Sequence, residues 1–116
     1  MTQPSRKEAL QWLVEYSKPL ETIGRILRRF GWDSEDELVY IEAQHLQSVL
    51  ASYIAGRISE RQVEDWANLM EGRDDLGFSS ESPEILEEVL HELANPALTQ
   101  SLTRNRANEL LGRLRD

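Results

Sequence analysis

The chain predicts an all-α fold, a single compact bundle-like domain of about six helices. Three observations carry that expectation. Apolar residues recur at helical spacing in six successive stretches. Each stretch opens on a capping residue or a proline, or closes on a glycine or proline. No alternation of apolar and polar residues extends beyond a few positions, so no strand of ordinary length is expected.

The first helix opens at Ser5, with Glu8 completing a capping box, and places Leu10, Leu13 and Val14 on one side. Lys18-Pro19 ends it, because a residue preceding proline is pushed out of the α region. The second helix carries Leu20, Ile23, Leu27 and Phe30. Gly31 then serves as its left-handed end, and Trp32 folds back on the last turn. Ser34 with Glu37 reads as a further capping box, starting a long central helix over roughly residues 35–55. Leu38, Val39, Leu46, Val49, Leu50 and Tyr53 form its apolar stripe, and Gly56 closes it.

The fourth helix has the fullest start signal. Ser59 and Gln62 make the box, while Ile58 and Val63 occupy the two positions of a hydrophobic staple. Val63, Trp66, Ala67 and Met70 share its inner face, and Gly72 stops it. Ser82-Pro83 starts the fifth helix, with Ile85, Leu86, Val89, Leu90 and Leu93 inward and Asn95-Pro96 at its close. Thr103 caps the sixth, which buries Ala107, Leu110, Leu111 and Leu114 and carries Arg113 and Arg115 at its end. The expected organisation is one domain over residues 1–116. A peripheral N-terminal helix occupies 1–17, and the main body spans 34–114.

Composition narrows the function classes. There is no cysteine, which excludes disulfides, thiolate catalysis and Cys-ligated zinc. No apolar run approaches the ~20 residues of a membrane span, and the N-terminus carries no apolar signal core. A cytoplasmic location is therefore expected, with no membrane partner. The net charge of −8 is unevenly spread. Residues 33–92 hold sixteen acids against three bases, a balance of −13, whereas both ends are mildly basic. Such a section repels phosphate and attracts a basic partner, so nucleic acid is not an expected ligand.

Two constellations have the residue types for a site. The two histidines each follow a glutamate by three positions, pairing Glu42 with His45 and Glu88 with His91. Glu-x-x-His on two helices is half of the ligand set of di-metal carboxylate bundles, which makes these four residues an alternative metal site. Its weakness is orientation: Glu88 and His91 fall opposite the apolar face of their helix. Glu42 falls inside the stripe of the long helix, where a buried carboxylate needs a partner such as Arg25, Arg28 or Arg73. Ordinary polar neighbours are the plainer reading, and no cofactor is expected.

The second constellation is the loop EGRDDLGFSSESPE, residues 71–84. It lacks the alternating oxygen ligands of a calcium loop. It reads as a turn, with Gly77 at positive φ and Phe78 tucked into the core. It also reads as a contact surface. Glu71, Asp74, Asp75 and Glu81, continued by Glu84, Glu87 and Glu88, form a candidate partner-binding face, with Trp66 or Phe78 as an aromatic anchor if exposed. Arg25, Arg28 and Arg29 form a basic cluster, expected to be a solvated face or internal ion pairs, with recognition of an acidic patch, such as one on a second copy, as the alternative. No nucleophile–base motif or phosphate-cradling glycine loop is present, so the chain is not expected to be an enzyme.

The words WANLMEGRDDLGF (66–78), ELANPALT (92–99) and YIAGRIS (53–59) together resemble a group of small, acidic, helical bacterial proteins without an assigned activity. In organisation that group is similar to helical immunity proteins, which neutralise toxins. The resemblance covers roughly 33–114 and leaves the first helix outside. It implies a helical, non-catalytic, protein-binding domain of immunity or antitoxin type, and carries no functional residue onto this chain. The alternatives are the di-metal protein and a small self-association module, and a homo-oligomer is compatible with each.

Overall fold

In a computed structural model, which describes residues 3–79 and 81–115, the order of elements departs from the expectation at two places. The helices are α1 (Arg6–Glu15), α2 (Leu20–Leu27), α3 (Ala43–Ile54), α4 (Glu60–Met70), α5 (Pro83–Ala94) and α6 (Arg104–Leu114). Two short strands, β1 (Val39–Ile41) and β2 (Leu76–Phe78), pair in parallel, Val39 opposite Leu76 and Ile41 opposite Phe78. The fold is thus mostly α, with six helices and one two-stranded sheet among the described residues.

The caps act as local sequence dictates. Ser5 and Ser59 each accept from the amide three residues on, and the side chains of Glu8 and Gln62 bond back to the cap amide. Gly31, Gly56 and Gly72 take φ of 72°, 79° and 85° just past the ends of α2, α3 and α4, where a Cβ would be strained. Helices then stack as α1 on α2, α4 on α5 and α3 on α6. Trp66 is fully buried at their junction, its indole N–H donating to Leu13 O at 2.6 Å. α6 is tied down by Arg106, whose guanidinium donates twice to Glu92, at 2.7 and 2.6 Å.

The N-terminal helix is not peripheral. Ala9, Leu10, Leu13 and Val14 are all fully buried, and α1 packs on α2, α4 and β1. The apolar side that sequence assigns to it is as deep in the core as any other.

The central helix is shorter than its pattern suggests. Ser34 does not cap it: its hydroxyl donates to Asp36 O and accepts from Asp36 N, closing a local turn. Leu38 N and Val39 N both donate to Asp75 O, at 2.8 and 3.4 Å, which draws the chain into β1. The helix begins only after Glu42, which is its N-cap. Gly77 lies within β2 rather than at a positive-φ turn. A Cβ there would stand 2.6 Å from Glu37 Oε1 and 2.8 Å from the Tyr40 ring, so the glycine makes room for the side chains crossing the outer face of the sheet.

Candidate functional site

The loop that joins α4 to β2 is held by a buried fork of charges. Asp75 is fully buried and Arg73 nearly so. Arg73 Nε and Nη2 donate to the two Asp75 carboxylate oxygens at 2.9 and 3.0 Å. Arg6 Nε, from the first turn of α1, donates to the same carboxylate at 2.7 Å. Both guanidiniums also reach the α2–β1 connection, Arg73 at Gly31 O and Arg6 at Asp33 O, each 2.9 Å. Aromatic rings cover them: Trp32 lies 4.8 Å from the Arg73 guanidinium and Phe30 lies 5.9 Å from that of Arg6. Burial alone would push the Asp75 carboxyl up, but hydrogen bonds from Arg73 and Arg6, reinforced by their charges, hold it below the usual carboxylate range.

This clamp sets one wall of a half-open cleft of about 520 Å³. Its floor is apolar, built by Ile41, Met70, Leu76, Phe78 and Leu90. Its rim is acidic: Glu71 and Asp74 from the loop, and Glu84, Glu87 and Glu88 from one face of α5. Their spacing along α5 places these last three on one side of the helix, together with His91.

The rim carboxylates differ in what they already hold. Glu71 is engaged, with Oε2 2.7 Å from His91 Nδ1 and Oε1 accepting from Asn95 Nδ2 at 2.8 Å. Glu88 accepts from Arg113 Nη2 at 2.7 Å. Asp74, Glu84 and Glu87 are exposed, and their carboxylates take no ion pair among the described residues. These three are the charges the cleft presents to a ligand. Among the described residues no serine, threonine, lysine or cysteine lines it; carboxylates, with Arg73 and His91, stand around an apolar floor.

Of the seven acids singled out in the sequence, five converge here. Asp75 does not: it is consumed by the internal clamp, and its surface role is corrected by its burial. Glu81 is exposed but is not part of the cleft lining. Trp66 is sealed in the core and offers no anchor, while Phe78 is partly exposed on the cleft floor.

The four residues of the alternative metal site are not gathered. Among the described residues no group of three or more His, Asp or Glu is placed to hold a metal ion. Glu42 and His45 instead form the start of α3, with the Glu42 amide donating to His45 Nδ1 at 2.9 Å. Glu42 is half-buried, its carboxylate accepting from Gln44 rather than from Arg25, Arg28 or Arg73. Arg25, Arg28 and Arg29 are exposed, as expected of a solvated face.

Sequence reasoning missed Trp32, which lies 47% exposed over Arg73 rather than folded on the end of α2. It also missed Arg6 and Arg73 as the partners of Asp75. An arginine two residues before an aspartate, in a loop otherwise acidic, was the available signal. No helix of the described residues is long and apolar enough to cross a membrane. Comparison with family models, with curated proteins and with solved structures found no match.

Proposed function

We propose that this chain is a non-catalytic binding domain that receives a basic segment of a protein partner in the acidic cleft. The observation that carries the reading is convergence: acids from the 71–74 loop and from α5 surround one apolar-floored depression. A scattered acidic surface would only raise solubility. Charges around a concave site focus the field and speed encounter with a basic partner, and the apolar floor supplies the contact that holds it. An immunity- or antitoxin-like inhibitor, covering the basic surface of a nuclease-type toxin in the cytoplasm, fits this chemistry, because carboxylates stand where such a toxin accepts phosphates.

The test is a paired capture from native-host lysate at low salt. Wild-type protein and the Glu84→Lys/Glu87→Lys variant are immobilised side by side, and bound proteins are eluted with rising salt. The reading expects a basic protein that leaves the wild type at moderate ionic strength and is absent from the variant. A partner retained equally by both would overturn it.

A further inference from the structure

Among the described residues the sheet has two strands, and its pairing leaves β2 with an open edge. Val39 N donates to Asp75 O and Ser79 N donates to Ile41 O. With the register of Val39 opposite Leu76 and Ile41 opposite Phe78, alternation turns the backbone groups of Asp75, Gly77 and Ser79 toward β1. The N–H and C=O of Leu76 and Phe78 are turned the other way, and among the described residues they find no partner on that side. Leu76 is only 6% exposed, and buried backbone groups in folded proteins are almost always paired. Both residues line the cleft, with α5 packed beside β2 and forming its far wall. The cleft is thus bordered by β2, whose outward backbone groups are unpaired among the described residues, and by the acidic face of α5.

We infer that the partner segment binds as a third strand on the β2 edge, an extended basic peptide hydrogen-bonded to Leu76 and Phe78 and flanked by Glu84 and Glu87. The inference rests on the proposed binding role of the cleft and specifies how the ligand is held. Strand addition takes affinity from main-chain hydrogen bonds and selectivity from alternate side chains. Here the apolar residues of the peptide meet the floor of Ile41, Leu76 and Phe78. Its long basic residues reach the carboxylates of the facing helix. The occupant is a basic segment rather than a second copy of the chain, because the two flanking carboxylates take no ion pair among the described residues and the central section of the chain is itself strongly acidic.

The probe is a blocked synthetic peptide alternating arginine and valine, titrated into the full chain and followed by amide exchange and by affinity. Binding is expected to slow exchange of the Leu76 and Phe78 amides. Methylating the peptide's backbone nitrogens one at a time is expected to weaken binding about tenfold at every second position and little between. Salt-sensitive binding that is lost in Glu84→Lys/Glu87→Lys, but with neither amide protection nor the period-two pattern, would overturn strand addition and leave the acidic cleft standing. Absence of any charge-dependent binding would overturn both. A dimer that protects the same amides without peptide would place a second copy in the cleft and also overturn the inference.

Discussion

Arg73 and Asp75, two residues apart, meet through a bidentate fork beneath the Trp32 ring, with the carboxylate fully buried. A buried ion pair contributes little net stability, since desolvation offsets much of its Coulomb gain. Its effect is positional. The Arg73 guanidinium also binds the Gly31 carbonyl, and Arg6, on the same carboxylate, binds that of Asp33, so three distant segments are registered on one carboxylate.

Replacing that carboxylate should be costly. Asp75→Asn leaves two arginines facing each other without a counter-charge, and the expected loss is about 3–5 kcal/mol of unfolding free energy. Urea denaturation checks it. A loss below about 1 kcal/mol would mean that water compensates the arginines and that the clamp is dispensable.

The same residue sets an acid limb. Its folded pKa lies below its unfolded value, so its contribution is complete above about pH 4 and is lost as pH falls through the folded value. Stability measured from pH 5 downward should therefore fall more steeply in wild type than in Asp75→Asn. Parallel curves would assign the acid sensitivity to other carboxylates.

His45 should give a second pH effect at milder acidity. Burial pushes its pKa down, opposed by the charges of Glu42 and Glu15, and its Nδ1 accepts the Glu42 amide in the neutral form. The unfolded histidine then takes a proton first, and stability declines as pH falls below about 6.5. His45→Asn should flatten the difference in stability between pH 7.5 and pH 5.5. An unchanged slope would place the titration elsewhere.

Two glycines separate backbone strain from crowding. Gly72 has a φ of 85°, and Gly72→Ala is expected to cost about 1–2 kcal/mol. At Gly77 the added methyl meets the end of the exposed Glu37 side chain and the half-exposed Tyr40 ring, both free to rotate away. Gly77→Ala should therefore cost less than Gly72→Ala in thermal unfolding. The reverse order would put the strained turn at Gly77.

Charge reversal on the cleft should spare the fold. Glu84 and Glu87 carry no ion pair within the described residues, so Glu84→Lys/Glu87→Lys should shift stability by no more than about 1 kcal/mol, mostly through Glu84 in the first turn of α5. Circular dichroism with thermal melting checks this. A collapse in stability would reveal a structural role for these acids and disqualify the variant as a binding probe.

The helices were legible because their signals are local. Ser5, Ser59 and Thr103 cap within three residues, and Leu86, Val89, Leu90 and Leu93 declare the buried face of α5 by spacing alone. The strands were not legible, since each is three residues long and exists only through pairing with a segment far along the chain. Val39 therefore passed as part of a helical stripe, and Ile41 fell within the helix expected over residues 35–55. The cleft was half legible: acids on consecutive turns of α5 were visible, but the fate of Asp75 depended on Arg6, remote in sequence. Adjacent aspartates 74 and 75 look alike in sequence and end on opposite sides of the surface.

The parallel pairing has a consequence for folding order. β1 and β2 are joined through α3 and α4, so the ladder closes only after that helical pair has brought Val39 to Leu76. Closing so long a loop costs entropy before any strand contact repays it, and such pairings form late. The far wall of the cleft, α5, lies beyond β2 in the chain and reaches a finished edge only then. A chain still folding presents no complete cleft, so under the proposed binding role a partner needing both walls would be engaged only by molecules that have already matured.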